Sequence, residues 1–383
     1  MGRRYNVISG DSHIEISPER WTPRVPGIWR DRAPKLVTLP SGGDGWVIEN
    51  RAPYVLGLAV TGKPYQEHRL NGIRYEGSPG AGSSEQRLKE QDIDGVDAEV
   101  MFTSVVAPRM WRALPDEGYK VLVRAYNEWL ADEYCAAAPD RLLAMGVIPV
   151  TGVDDAIAEM EYCKRMGLRG VSLAAFPSGK TFPTPEDDQF WQAAVDMPMP
   201  IAIHVGMGGD GPVFRYKRTP SDVPAFGADP VDQLTRFQGN SLRNIMQLAY
   251  GGVLDRFPRL RIYFAETMVG WLPYSLEQVD DIYERSRYWA ETYFGLEPLP
   301  RLPSDYIRKH AVWGFLRDRA GVRFRHEYGV ENAIWGSDFP HSAGDWPNSR
   351  RVIDEIFEGV QEDERYAMLG GNAVDFFGLD NEV

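Results

Sequence analysis

Only two of the 383 residues are cysteine and six are histidine. Cys135 and Cys163 cannot build a disulfide framework, and neither stands in a CxxC or beside a histidine, which excludes a zinc ribbon or a dithiol redox centre. Each falls on the apolar stripe of a helical pattern and reads as core filler. No stretch approaches the ~20 apolar residues of a membrane span, and the opening MGRRYNVISG has arginines without the apolar run of a secretory signal. A cytoplasmic protein is expected. Basic runs are absent beyond pairs such as Arg350-Arg351, and the formal net charge is -13. A polyanion partner needs concentrated Lys and Arg, so nucleic acid is excluded and a small molecule is the expected partner. No glycine-rich dinucleotide fingerprint follows the first apolar run, where SGDSHIE stands instead.

What is present is a globular composition, 43% hydrophobic and 25% charged. One large core with insertions can organise a chain of this length. Short apolar runs alternate with longer helical patterns. YNVISG (5–10), DAEVMFTS (97–104), LLAMGVIPV (142–150), LRGVSLAAF (168–176), PIAIHVG (200–206), LRIYFAE (260–266) and AIWGSD (333–338) read as seven buried strands, with an eighth near HAVWGF (310–315). Between them, LVRAYNEWLADEYCAAAPDR (122–141) has apolar residues at helical spacing. VDDAIAEMEYCKRMG repeats the pattern, with Asp154 and Asp155 in its first turn and Gly167 at its end. Strands apolar on both faces that alternate with helices predict a parallel sheet, either closed or doubly wound. Closure is favoured because residues able to do chemistry end several separate runs: Asp11 and His13, His204, Glu266, Asp338. In a (β/α)8 TIM barrel those ends converge on one mouth. The expectation is therefore α/β, a single (β/α)8 TIM barrel over residues 1–383 with insertions at its C-terminal mouth. A rim or cap falls at 18–84, with PSGGDGWVIEN as a hairpin turn, and a lid-like loop at 207–239. Residues 285–309, rich in Tyr and Trp, also fall outside the rhythm.

Asp11 and His13 are separated by one residue, so on a strand their side chains share a face and can share a ligand. His204 follows a β-branched run, where an unpaired imidazole is costly unless it meets a metal or a hydrogen-bond partner. Asp338 ends AIWGSD in the same setting. Taken singly, such a histidine is more often scaffold and such an aspartate a cap. Recurrence in one register is what points to metal. Asp11, His13, His204 and Asp338 make a mixed N/O set for one divalent ion, Zn²⁺ foremost and Mn²⁺ as the alternative, with a position left for water or substrate. His68, in the early insertion, and His326, in RFRHEYG, read as scaffold or surface residues, while His310 stays open between scaffold and site. Arg109, Phe176, Trp271 and Phe339 are candidate substrate contacts, an aromatic wall with one cation suited to a planar or carbonyl-bearing acid. Their plainer reading is packing and surface charge. His341, three residues after Asp338, is a further candidate to hydrogen-bond a substrate.

GDSHIEISPERW, IAIHVG, YFAETMVGWLPYSLEQVD and IWGSDFPHSAGDWP, in that order, resemble the motifs of the amidohydrolase-related family. This branch of the amidohydrolase superfamily includes aminocarboxymuconate-semialdehyde decarboxylase, γ-resorcylate decarboxylase and related C–C hydrolases. The resemblance implies a metal-dependent barrel with one ion at its mouth. It places Asp11 and His13 on the first-strand ligand pair, His204 on the fifth-strand ligand, and Asp338 on the eighth-strand aspartate that contacts the metal and handles protons. There are two departures. Asp11 stands where the family varies between histidine and an acid, with Glu15 as a substitute that would pair with His13. Glu266 stands where many members carry a histidine, and could be a base, an additional ligand or an outer hydrogen-bond acceptor. The function expected is a metal-dependent hydrolase that cleaves a C–N or C–C bond beside a carbonyl in a small, aromatic or ring-derived substrate. Asp338, Glu266 and His204 are its catalytic residues, and Glu266 tilts the reading to hydrolysis because it would repel a substrate carboxylate. A non-oxidative decarboxylase of an aromatic or enol acid is the alternative, and a non-catalytic metal-binding barrel the alternative of another class. A homodimer is expected, with no membrane partner.

Overall fold

The computed structural model describes residues 3–55, 59–69, 72–104, 106–207, 230–295 and 297–380. The first strand, β1 (Ile8–Ile14), is buried along its whole length. An inserted lobe follows, with a three-stranded antiparallel sheet of β2 (Lys35–Thr38), β3 (Asp44–Val47) and β4 (Tyr54–Val55). The chain then lays down β5 (Ala98–Thr103), β6 (Leu142–Val147), β7 (Gly170–Ser172), β8 (Ile201–His204), β9 (Ile262–Ala265), β10 (Ala311–Phe315) and β11 (Ala333–Trp335). With β1 they form one eight-stranded parallel sheet in the order of the chain, separated by helices. It is the TIM barrel expected from the alternation of apolar and helical runs.

The two faces of each strand bury different partners. Ile8, Val100, Phe102, Leu143, Met145, Tyr263, Val312 and Ile334 form a cluster that includes Phe377 and Leu379 from the C-terminal segment. This is the barrel interior with its floor. The alternate residues, among them Met101, Ile201, Ile203, Phe264 and Trp313, join a larger cluster with the surrounding helices. Tyr263 crosses the interior because two facing positions lack side chains: a Cβ on Gly10 would come within 2.7 Å of its hydroxyl and one on Gly314 within 2.5 Å.

Three segments depart from the expected pattern. The fourth strand is only Gly170–Ser172, because the chain turns away before the aromatic at Phe176. Residues 285–294 continue the helix Leu272–Phe294, and the helix Pro303–His310 runs up to β10, so most of 285–309 belongs to the regular alternation. The part of the 207–239 loop from Pro230 onward is helical, within Pro230–Tyr250, while 208–229 lies outside the described residues. No described helix is long and apolar enough to cross a membrane.

The barrel closes where its first and last strands meet. Backbone N–H groups cross the seam from His13 to the Phe339 carbonyl, 2.7 Å, and from Asp338 to the Asp11 carbonyl, 2.8 Å. Arg87, on the helix Ser84–Asp94, holds the same seam from behind, donating from Nη1 to the His13 carbonyl at 2.8 Å and from Nη2 to the Phe339 carbonyl at 3.3 Å. Its Nε donates to Glu99 Oε2 at 2.6 Å, and both side chains are almost fully buried. A buried pair of this kind is costly to break from one side, since the remaining charge loses its partner. Arg87→Leu is expected to lower the unfolding free energy by about 3–5 kcal/mol, read as a shift of the urea midpoint. Adding Glu99→Leu should return part of the loss, and an unchanged midpoint in the single variant would show that the pair does not hold the seam.

Candidate metal centre

A buried carboxylate needs donors, and Asp11 has none. It is wholly buried, and neither of its oxygens has a hydrogen-bond partner. The β1 register slips between Ser9 and Ser12 against β5, a local bulge next to Asp11. Asp11 and His13 then reach the mouth together. His13 Nε2 lies 3.5 Å from Asp11 Oδ1, 3.2 Å from Asp338 Oδ1 and 3.1 Å from His204 Nε2. His204 Nε2 is in turn 3.3 Å from Asp11 Oδ1 and 3.5 Å from Glu266 Oε2. Phe102 sits beneath both imidazoles, with its ring centroid 5.1 Å from that of His204 and 6.3 Å from that of His13.

The chain turns sharply to present these groups. Val205, Glu266 and Asp338 stand just past β8, β9 and β11 with φ of 61°, 57° and 51°, in the left-handed region that few non-glycine residues, and β-branched ones least of all, occupy. Such strain costs on the order of 1–3 kcal/mol per residue and gathers at functional sites.

His341 completes the cluster in a way its distance from His13 in sequence conceals. Its ring stacks on His13 at 3.8 Å, its Nδ1 lies 3.2 Å from Asp338 Oδ1, and its Nε2 lies 3.0 Å from Glu15 Oε1. Glu15 therefore pairs with His341 and not with His13. Burial opposes charge on both rings, but their neighbours differ. His13 is held well below the ordinary histidine range by burial and by the neighbouring His341 and His204 imidazoles. Burial lowers the His341 value too, but the Asp338 and Glu15 carboxylates outweigh it and hold the ring well above that range. Their surroundings thus favour the neutral form of His13 and the protonated form of His341.

Four groups, Asp11, His13, His204 and Glu266, each offer a ligand atom within 4.8 Å of the others, and His13, Asp338 and His341 form a second such set. The donor set fits a divalent ion on its own chemistry. It combines imidazole nitrogen with carboxylate oxygen, and both Asp11 oxygens are buried without a donor. A cation is what offsets carboxylates buried in this way. Glu266 enters as a fifth candidate ligand beside the four predicted.

The remaining predicted residues lie around this centre in different roles. Phe176 is buried in the outer core after β7. Trp271 donates from Nε1 to the Thr267 carbonyl at 2.8 Å and packs edge-on against Trp313, which uses its polar and apolar parts within the scaffold. Phe339 carries the Arg87 guanidinium over its ring at 4.5 Å and forms part of the seam. Arg109 is half-buried on the helix Val106–Trp111 after β5. His310 Nδ1 lies 2.7 Å from the Leu260 carbonyl, just before β10 and β9 and thus at the strand ends opposite the mouth, as scaffold does. His326 pairs with Glu364 at 2.5 Å, and His68 is exposed beside Lys63.

The sequence profile of the amidohydrolase family matches residues 88–379. The chain belongs to this amidohydrolase family. A curated relative, the 2-amino-3-carboxymuconate-6-semialdehyde decarboxylase of Dictyostelium discoideum, is 23% identical over 380 residues, 97% of this chain and 91% of that one. Among solved structures, an amidohydrolase of Mycobacterium avium subsp. paratuberculosis superposes with a TM-score of 0.73 at 17% identity, over 98% of this chain and 99% of that one. The 5-carboxyvanillate decarboxylase of Novosphingobium aromaticivorans, solved with bound manganese and 3-methoxy-4-hydroxy-5-nitrobenzoic acid, gives 0.65 at 16% identity over 98% and 97%. At these identities the solved structures establish the shared barrel.

This amidohydrolase, loaded with Mn²⁺ or Zn²⁺, is expected to melt at a higher temperature than the chelator-treated protein, because an ion that binds the native state alone stabilises it. Asp11→Ala should weaken ion binding by about tenfold or more and remove most of the rise. An equal rise in the variant would take Asp11 out of the ligand set.

Proposed function

We propose that this amidohydrolase is a metal-dependent, non-oxidative decarboxylase of an aromatic or enol carboxylic acid. The observation that carries the reading is the contact between His341 Nδ1 and Asp338 Oδ1, 3.2 Å, at the edge of the ligand cluster. It puts a proton beside an acid that faces the same space as the ion. The curated decarboxylase relative, matched across nearly the whole chain, supports the same choice. Hydrolysis, the sequence-based expectation, rested on repulsion between Glu266 and a substrate carboxylate. Glu266 Oε2 instead lies 3.5 Å from His204 Nε2 and within the ligand group, so its charge is directed at the cation. Family membership speaks against the remaining reading, a barrel that binds metal without catalysis.

A divalent ion bound here would supply Lewis-acid chemistry, stabilising negative charge that develops on the substrate. Asp11, His13, His204 and Glu266 would hold it. Asp338, as an acid, gives a proton to the carbon that bears the carboxylate. The carbon–carbon bond to that carboxylate then breaks, its electron pair restores the ring or enol π-system, and carbon dioxide leaves. His341, held against Asp338 on one side and Glu15 on the other, returns a proton to Asp338. Phe102 forms an apolar floor that keeps water from beneath the two imidazoles.

Turnover of a hydroxylated aromatic or enol acid in deuterated water is expected to release carbon dioxide and leave deuterium on the vacated carbon. Asp338→Asn should lower kcat by about 10²–10⁴-fold with the ion retained. Incorporation of ¹⁸O from labelled water into a new carboxylate, without carbon dioxide release, would establish hydrolysis instead.

A further inference from the structure

Asp338 and His341 stand on the segment that leads from β11 to the helix Ser349–Ile356. The seam holds its first residues, through the backbone bonds at Asp338 and Phe339. Past them the inserted lobe takes over, with the stretch of chain between β4 and the helix Ser84–Asp94. Thr61, 3% exposed, donates its N–H to the Pro340 carbonyl at 3.3 Å and its hydroxyl to the Trp346 carbonyl at 3.4 Å. The two bonds bracket His341.

Two glycines of the same stretch press on the segment. Gly80 is buried with φ of 73°, and a Cβ there would come within 2.5 Å of Pro340 Cγ. Gly62 has φ of 77°, and a Cβ there would meet the Trp346 indole at 2.7 Å. Glycine suits both the left-handed backbone and the close approach. Gly77, by contrast, has the same φ of 77° with nothing within 4 Å of a Cβ, so its need is for the turn alone. Gly80 is itself anchored. Its N–H donates to the Glu90 carboxylate, 3.2 Å from Oε1 and 3.1 Å from Oε2, and the Glu90 carbonyl accepts from Trp346 Nε1 at 3.0 Å. Lobe and segment are thus tied to one residue of the helix Ser84–Asp94. Among the described residues, none from the lobe belongs to either group of candidate ligands.

We propose that the inserted lobe, through Thr61, Gly62 and Gly80, is the positioning element for the proton carriers Asp338 and His341. The inference rests on the decarboxylase reading for what those carriers do, and adds which part of the chain sets their distance from the substrate carbon. Pro340 is the point of transfer, because its ring fixes φ and His341 follows it directly. Proton transfer needs donor and acceptor within hydrogen-bond reach, and a misplacement of about 1 Å lowers a rate by up to about 10²-fold. The candidate ligands Asp11, His13, His204 and Glu266 stand on or just past β1, β8 and β9, outside the clamped segment. Proton delivery and ion binding are therefore held by separate parts of the chain, and substitution can separate them.

Gly80→Ala tests this, with Gly77→Ala as the control for left-handed strain without contact. ¹⁵N-histidine labelling of the Zn²⁺-loaded protein gives ring signals from six histidines, and that of His341 is assigned by its loss in His341→Asn. Gly80→Ala is expected to shift the His341 ring signals and leave those of His310 in place, while Gly77→Ala moves neither. With 2-hydroxybenzoate, an acid of the class proposed above, Gly80→Ala should lower kcat by about tenfold or more and leave KM within about twofold. Gly77→Ala should leave both within about twofold, and each variant should keep the thermal stabilisation by Mn²⁺. If Gly80→Ala does not unfold cooperatively, Thr61→Val, which deletes the bond to Trp346, replaces it, with kcat lowered by about threefold or more. An unmoved His341 signal, an equal loss of kcat in Gly77→Ala, or loss of the Mn²⁺ stabilisation together with kcat in a folded variant would each overturn the positioning role. Failure of the decarboxylase reading would show differently, as a parent protein that releases no carbon dioxide from such acids while Gly80→Ala still shifts the His341 signals.

Discussion

Carboxylates gathered where water is excluded set the terms for this molecule. Asp11 is wholly buried with no donor to either oxygen, while Asp338 reaches His13 and Glu266 reaches the adjoining His204. Removing such charges from water costs several kcal/mol each unless something of opposite sign stands among them. The nearest buried guanidinium, Arg87, is committed to Glu99 and to two backbone carbonyls behind the seam. Among the described residues, the His341 imidazole also touches Asp338. The arrangement therefore calls for a cation, and its geometry is shaped to hold one.

The supporting structure follows from that demand. Left-handed backbone at Glu266 and Asp338 is a cost the barrel accepts in order to aim their carboxylates across the mouth. Behind them, Ser9, Ser12 and Ser337 form a buried hydroxyl triangle with contacts of 3.0–3.1 Å, and Ser12 Oγ donates to Glu99 Oε1 at 3.1 Å. That network links the Arg87–Glu99 pair to both strands that carry Asp11 and Asp338. Networks of this kind fix rotamers when every member is satisfied. The inserted lobe plays a separate part, lining a small cavity with Glu15 through Trp46, Tyr54 and Tyr75.

Much of this was legible in the sequence, for a physical reason. Buried parallel strands are apolar on both faces, so a polar residue at such a strand's end is conspicuous: Asp11, His13, His204, Glu266 and Asp338 all announced themselves in that way. Period two put Asp11 and His13 on one face. What stayed hidden depends on contacts across the closure. Glu15 and His341 meet only because the first and last strands are neighbours, and no local pattern joins positions so far apart. Arg87 sits in EQRLKEQDIDG, which reads as a solvated helix, yet its side chain is 1% exposed. Trp271 and Phe339 carry the opposite lesson: aromatic residues near a mouth in sequence can be consumed by the scaffold.

The seam has one more consequence, for the order in which the protein comes into being. The candidate ligand group draws on residues as early as Asp11, its neighbours Asp338 and His341 follow the last strand, and the backbone bonds that bring them together are those that close the barrel. A ribosome-bound chain that has not yet released its final strand can form helices and most of the sheet, but Asp338 and His341 are not yet beside His13. Completion of the site is thus a late event in biosynthesis, and an ion held there would add its binding energy to the state in which the two ends of the sheet have met.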